Sequence, residues 1–506
     1  MIRFRSLSST IALAAFVVAA ASTTAYAQPA APTTETSSVR KEVRLSLSDA
    51  IALSLRNNPD IAIAGFAPRR AAAGVKQQRG VFDPILSVFA GIDRDKRPAG
   101  SPMLGSFRNN VRAEASLSGR LPLGTEYELS YGTTRLESDS QLSPTNPSSS
   151  SYVQLSLRQP LLRGFGSDVN RAGITIARGN ERIAEIGLRR QIEVALTTTV
   201  AAYWRLVRAH KSLAVARESL DLARRLVERT QARIHAGDLP TIELTQARAS
   251  VAAREEAVIL GEAEVGNAND ALARLLVVDE RDIFAVTFLP TEEPRADAAA
   301  MRSASLLEDA FRQRAELEAA RQAVRNAEVA LAAASDARRP DLSAVGSLGI
   351  GGLDARWTSA QSELVRDIDD QHRWTVGLML SIPLGNRSAD GAYERARLDV
   401  EEAKVSLRTL EVQVAEEVRS AVRDLEASAR RVEATRRASE LARAQLEAGE
   451  KRMSTGLTTA FEVLRLQTDL AAAQHTEIAA LVGYRTGLVR VQFATGSLFV
   501  EYVSGS

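Results

Sequence analysis

Along the middle of each half of the chain, apolar positions recur in steps of seven. Leu206, Leu213, Leu220, Val227 and Ile234 fall one heptad apart, and Ala209, Ala216, Ala223 and Thr230 sit three residues after the first four. The same register returns 219 residues later as Leu425, Val432, Ser439, Leu446 and Met453, with Ser428, Thr435, Ala442 and Gly449. A strict seven-residue period predicts a left-handed coiled coil, and small residues at every second seam position let the helices approach closely. The pattern predicts long helices near residues 168–236 and 388–455, each roughly 100 Å long at about 1.5 Å per residue. Shorter helices are predicted near 46–79 and 240–278, about 50–60 Å apiece, so that a stacked pair matches one long helix.

Between the helices the period changes to two. Alternating stretches lie around 84–93, 110–119, 124–134 and 151–159 in the first half and around 341–350 and 372–382 in the second. Loops rich in Pro, Ser, Asn and Gly, such as Ser138 to Ser151, separate them. Pro160 and Pro383 end the final strand of each half and mark the strand-to-helix transition, where a missing N–H no longer harms a ladder.

The halves are copies. Asn58-Pro59-Asp60-Ile61 aligns with Arg314-Ala315-Glu316-Leu317 at a shift of 256, and Asp83-Pro84-Ile85-Leu86-Ser87 with Arg339-Pro340-Asp341-Leu342-Ser343 without a gap. Gln159-Pro160-Leu161 then matches Ile382-Pro383-Leu384 at a shift of 223, and Arg233 to Glu243 matches Arg452 to Glu462 at 219. The first copy is longer by about 33 residues (256 less 223), chiefly between its strands. The expected plan is a signal peptide over 1–27, an N-terminal linker over 28–44, repeat 1 over 45–290, a linker over 291–302, repeat 2 over 303–496 and a C-terminal tail over 497–506.

The N-terminus reads as an address. Arg3 and Arg5 precede an apolar core from Ile11 to Ala21, and Ala25-Tyr26-Ala27 is a small-residue cleavage site. No later apolar run reaches the roughly 18 residues a membrane helix needs, so a mature chain that crosses a membrane must do so as a closed β-barrel. Two to four strands per copy are too few to close a barrel within one chain, and lipid does not tolerate open edges. The barrel has to be shared between chains. With no Cys in the sequence, a lipid-modified N-terminal Cys, disulfides and Cys-based metal sites are excluded. A net charge of +2, with acids and bases interspersed and no basic stripe, predicts no nucleic-acid partner.

In this order the chain resembles the TolC-type outer-membrane efflux protein family over essentially the whole mature length. The carrying residues are Leu45-Ser46-Leu47-Ser48-Asp49-Ala50-Ile51-Ala52-Leu53 through Asn58-Pro59, and Gln159-Pro160-Leu161-Leu162. To these are added the helix–turn–helix tips, Ile234-His235-Ala236-Gly237 through Glu243 and Met453-Ser454-Thr455-Gly456 through Glu462. The fold class implied is an α+β membrane protein, a trimeric TolC-like barrel continued by a long α-helical coiled-coil tunnel, with two internal repeats per chain. The resemblance further implies a homotrimer in the cell outer membrane, its tunnel extending into the periplasm. A periplasmic adaptor (membrane fusion) protein and an inner-membrane pump are the implied partners, in tripartite efflux or type I secretion. The family pattern has a twelve-stranded wall. The extra strand pair around 110–134 gives the hypothesis of six barrel strands per chain, hence eighteen, against a surface hairpin outside twelve.

The tips implied to dock the adaptor are Gly237, Asp238, Leu239, Gly456, Leu457 and Thr458. The two glycines also read as left-handed residues ending a helix. Glu243 and Glu462 occupy positions where the family carries acidic residues at its periplasmic constriction. For Glu462 the rival is a capping box, Thr459-Ala460-Phe461-Glu462, which is favoured because its hydrogen bonds are complete without a gate. The family's second acidic ring residue corresponds to Arg465 here, its gating Arg to Thr458 and its gating Tyr to Met453.

No catalytic or cofactor signature is expected. His210, His235, His372 and His475 share no metal-ligand spacing and are read as solvated surface residues. Gly346-Ser347-Leu348-Gly349-Ile350-Gly351-Gly352 opens no helix and is read as a loop at the barrel's outer rim. Trp357, Trp374, Tyr152 and Phe89 are candidates for an interfacial aromatic girdle, with core packing as the alternative. The competing functional class is a soluble periplasmic coiled-coil scaffold or adaptor.

Overall fold

The computed structural model describes residues 41–98, 103, 105–143, 145–237, 240–276, 286–296, 303–366 and 372–499. The expected signal peptide, most of the N-terminal linker, Asp238, Leu239 and the end of the C-terminal tail lie outside these residues.

Repetition of the sequence becomes repetition of shape at a kink. Each copy opens with a helix that breaks at an aligned residue. Asn58 (φ −64°, ψ 121°) and Arg314 (φ −63°, ψ 121°) are both extended, which separates α1 (Leu47–Asn57) from α2 (Pro59–Ala64) and α7 (Ser303–Gln313) from α8 (Ala315–Ala337). In copy 1 a further break at Gly65 gives α3 (Phe66–Arg79). The expected single helix over 46–79 is therefore corrected to three segments. Pro59 cannot donate to Leu55 and starts α2 at its first position, where Asn58 caps Asp60 N.

The long helices are α5 (Ala172–His235) and α10 (Arg387–Ser454), with 64 and 68 residues. A short turn of helix, α4 (Ser167–Asn170), leads into α5. After the tips come α6 (Ile242–Leu276) and α11 (Ala460–Thr495). Near the strands α3, α5, α8 and α10 lie side by side, while further along α6 pairs with α5 and α11 with α10. Of the expected seam, Leu206, Ala209, Leu213, Ala216, Leu220, Ala223 and Thr230 are buried. Val227 is displaced by Leu226, as a 3.6-residue helix drifts against a seven-residue repeat. In copy 2 Leu425, Val432, Ser439, Leu446, Met453 and Gly449 are all buried.

Six strands make one antiparallel sheet in the order β2 (Ile85–Lys96), β3 (Phe107–Arg120), β4 (Glu126–Ser138), β5 (Ser148–Pro160), β7 (Asp341–Asp354), β8 (His372–Ser381). The extra pair β3–β4 is thus inside the sheet, hydrogen-bonded to β2 on one side and β5 on the other. Copy 1 supplies four of the strands and copy 2 two, joined where β5 meets β7.

Three elements were not anticipated. β1 (Lys41–Leu45), within the expected linker, pairs in parallel with β6 (Val286–Pro290), far along the chain. This pair sits over the middle of α5, where Tyr203 and Trp204 are the largest fully buried side chains and meet edge to face, centroids 5.6 Å apart. Helix α9 (Trp357–Arg366) follows β7. The glycine-rich stretch 346–352, expected as a rim loop, is instead part of β7. Strand β7 is central, so hydrogen bonds from β5 and β8 hold its backbone extended without help from side chains.

Candidate functional site

Because strand side chains alternate, the register of the sheet sorts its residues into two faces. One cross-strand row reads Leu86, Leu117, Leu129, Leu155, Leu348, Trp374, six apolar residues directly opposite one another. The next row on that face reads Val88, Ala115, Tyr131, Val153, Ile350 and ends on β8 at His372. Below them on β8, Val376, Leu378 and Leu380 continue the stripe and are 77%, 72% and 59% exposed, far too open for a core. The row between runs Ile85, Ser118, Glu128, Ser156, Ser347, Thr375 on the opposite face, followed by Arg120, Glu126, Arg158, Val345. That face is concave, and Ser118, Glu128, Gln154, Ser156, Ser347 and Thr375 line its hollow. An apolar convex face and a polar concave face are what a wall between lipid and water requires.

At the base of the concave face the polar row is tied together. Arg120 pairs with Glu126, Arg158 bridges Glu126 at 3.4 Å and Asp341 at 3.0 Å, and Arg163 reaches Asp341 at 2.9 Å. The chain of ion pairs spans β3, β4, β5 and β7, so the extra hairpin is locked into the sheet where it meets the helices. Pro160 is the last residue of β5, opposite Ser343, and Pro383 lies two residues past the end of β8.

The girdle reading divides. Trp374 stands on the apolar face, whereas Phe89 and Tyr152 share the polar face with Glu114. There the Tyr152 ring lies across Gly132, leaving no room for a Cβ. Trp357 begins α9, which packs on the far end of the convex face. Gln361 Nε2 donates to Tyr131 Oη at 3.1 Å, Ala360 is fully buried, and Ser149, Ser151 and Thr133 are buried there too. No helix among the described residues is long and apolar enough to cross a membrane.

At the opposite pole are the tips. Gly456 (φ 78°) and Gly237 (φ 86°) are both left-handed, the backbone state that ends a helix most cheaply at glycine. Leu457 N donates to Arg452 O at 2.9 Å and Gly456 N to Met453 O at 3.1 Å, a complete Schellman turn at the end of α10. Leu457 is 77% exposed on that turn, and Thr458 follows it. Thr459 caps α11 by accepting from Glu462 N at 3.4 Å, but the Glu462 carboxylate pairs with Arg465 at 2.8 Å. The capping box is therefore built from the Thr459 side alone. Glu243 does something the sequence did not suggest, since its carboxylate accepts from Ala460 N at 3.2 Å, on the other hairpin. Arg233 Nη1 returns the contact, donating to Met453 O at 2.9 Å.

Further up the bundle Arg254 of α6 is buried and donates to Ser219 Oγ at 2.9 Å, Thr468 Oγ1 at 3.3 Å and Leu464 O at 3.5 Å, joining α5, α6 and α11. Burial lowers its pKa. His210, which faces the backbone of Phe288 in β6, and His475 of α11 are half-buried rather than solvated as expected. Their pKa values are lowered, in both chiefly by burial, with Arg217 and Arg208 respectively adding repulsion.

The sequence matches the family described as outer membrane efflux protein over residues 50–277 and 306–497, one stretch for each copy. No curated protein matches it. Among solved structures it is similar to the outer-membrane channel OprN, with 19% identity, a TM-score of 0.68 and 89% of each chain covered. It is also similar to CmeC of Campylobacter jejuni (17% identity, TM-score 0.65, covering 89% of this chain and 85% of that one). VceC of Vibrio cholerae is a third (19%, 0.64, covering 89% and 96%). At these identities the likeness is one of fold.

Proposed function

This chain belongs to the outer membrane efflux protein family, and we propose that it is a passive conduit through the outer membrane, the exit component of a tripartite efflux or type I secretion system. The observation that carries this reading is the two-faced sheet. A convex face bearing Leu86, Leu117, Leu129, Leu155, Leu348 and Trp374 in one row suits lipid, and the concave face behind it suits a water-filled lumen. Its two edge strands, β2 and β8, pair with β3 and β7 on one side, and among the described residues no strand pairs with the backbone groups of their outer edges. In lipid those backbone groups must be satisfied, so copies join edge to edge, in a homotrimer as the family resemblance implies.

The helices carry the lumen away from the membrane. At about 1.5 Å per residue the 64 and 68 residues of α5 and α10 reach about 100 Å into the periplasm. The turns at Gly237 and Gly456 form the far end, and Leu457 offers an exposed apolar contact there for an adaptor protein coupled to an inner-membrane pump. The work is conduction and docking, with no chemistry at any residue. A soluble scaffold is disfavoured, because it would leave the apolar stripe of β8 in water.

Planar-bilayer recording of the purified full chain tests this function. Discrete conductance steps are expected; a chain that leaves the bilayer silent in every preparation, with or without substitutions at its tips, is not a channel.

A further inference from the structure

We infer that the wall of this channel is made of eighteen strands, three copies of a six-stranded sheet, with β8 of each copy paired to β2 of the next. The inference rests on the channel reading above and departs from the twelve-stranded wall of the family pattern.

Four observations carry it. First, β3–β4 cannot be a hairpin lying outside a smaller wall. It pairs with β2 from Ile85↔Ser118 to Lys96↔Phe107 and with β5 from Glu126↔Arg158 to Leu136↔Ser148, so both its edges are used. Second, the hairpin continues both faces. Leu117 and Leu129 fill the apolar row, and Ser118 and Glu128 the polar one. Laid on the outside, Arg112, Glu114, Glu126 and Glu128 would face lipid, where a charge is expelled. Third, the ion pairs from Arg120 through Glu126 and Arg158 to Asp341 bind the hairpin's base to β5 and β7. Fourth, six is even and every pairing is antiparallel, so β2 and β8 run in opposite senses. A ring of copies then closes with antiparallel pairing at each seam.

The circumference supports the same count. Eighteen strands spaced by about 4.8 Å and tilted by about 40° close on a ring of about 113 Å, against about 75 Å for twelve. Each copy sets four helices, α3, α5, α8 and α10, side by side beneath its sheet. Twelve helices from three copies, at about 9 Å between axes, need a ring of about 108 Å. The extra hairpin brings the wall to the girth of the tunnel, so the lumen passes from helices to strands without narrowing. Any filter on cargo size then lies at the tips rather than in the membrane.

Cryo-electron microscopy of the unmodified full chain in lipid nanodiscs counts the strands directly. A second measurement uses the absence of Cys in the sequence. Leu348→Cys places one spin label per copy on the outer face of a central strand, and pulsed electron resonance gives the distance between copies. Eighteen strands predict a separation about 1.5-fold that of a twelve-stranded ring. A trimer with twelve wall strands overturns this inference and leaves the channel reading standing; a monomer with the outer edges of β2 and β8 unpaired overturns both.

Discussion

The carboxylate of Glu243 accepts a hydrogen bond from the backbone N–H of Ala460, 3.2 Å away and on the other hairpin. Ala460 opens α11, so a residue of the first repeat places negative charge at the positive end of a helix in the second. Arg233 makes the complementary contact, its guanidinium 2.9 Å from Met453 O at the negative end of α10. Each end of the second tip is held by a charge of the right sign from the first. Tip separation therefore has to break two charge-assisted bonds.

Glu243→Ala should loosen the tips. Loss of a capping contact costs about 1 kcal/mol, which is a factor of about five in the ratio of open to closed tips. Open probability in planar bilayers should rise by that order. Glu462→Ala should leave conductance unchanged, because the cap is provided by Thr459 and the Glu462 carboxylate is turned to Arg465. A larger effect at Glu462 than at Glu243 would contradict this account of the tip contacts.

Substitutions on the sheet should separate by face. Leu348→Arg puts a charge on the lipid side and should cost about 2–4 kcal/mol at mid-membrane, enough to abolish stable insertion. Ser347→Arg, one residue away on the concave face, should insert normally. Heat-modifiable assembly on a gel reads both variants.

The histidines give a pH dependence with a definite sign. His210 and His475 have pKa values lowered from 6.5 in the folded chain. Their contribution to stability is complete above the unfolded pKa, about 6.5, and is lost as pH falls through that value toward the folded pKa. Melting temperature should therefore drop between about pH 7 and pH 5. The double variant His210→Asn/His475→Asn should flatten that part of the profile.

Tyr203→Phe tests the junction at mid-helix. The hydroxyl donates to Leu45 O at 3.2 Å and accepts from Glu292 N at 3.3 Å, fastening the C-terminal end of the parallel β1–β6 pair to α5. Its removal takes the acceptor from Glu292 N, while Leu45 O keeps the bond from Thr291 N at 3.1 Å, and should cost about 1–3 kcal/mol. Hydrogen exchange should show residues 41–45 and 286–290 losing protection before the rest of the chain.

Much of this architecture was legible because it is periodic. The heptads marked most of the buried seam, though Val227, Ile234, Ser428, Thr435 and Ala442 are only half-buried, and alignment of the copies pointed to the strands and turns. What escaped depends on contacts between residues far apart in sequence. The break at Arg314 carries no Pro or Gly, and only its alignment with Asn58 could have disclosed it. The 346–352 glycines suggest a loop until two neighbouring strands pin them. Phe89 and Tyr152 could not be assigned to a face before the register was known. Glu243 was legible only as a candidate constriction acid through the family resemblance, since its partner in the cross-hairpin bond lies 217 residues further on. Half-burial of His210 and His475 arises from packing that no local pattern encodes.

Fractionation of cells expressing the full chain tests the central claim most directly. The account predicts recovery only from outer membranes with detergent, as a species of about three chain masses that falls to one on heating. A single chain, free in the periplasm without detergent, would contradict it.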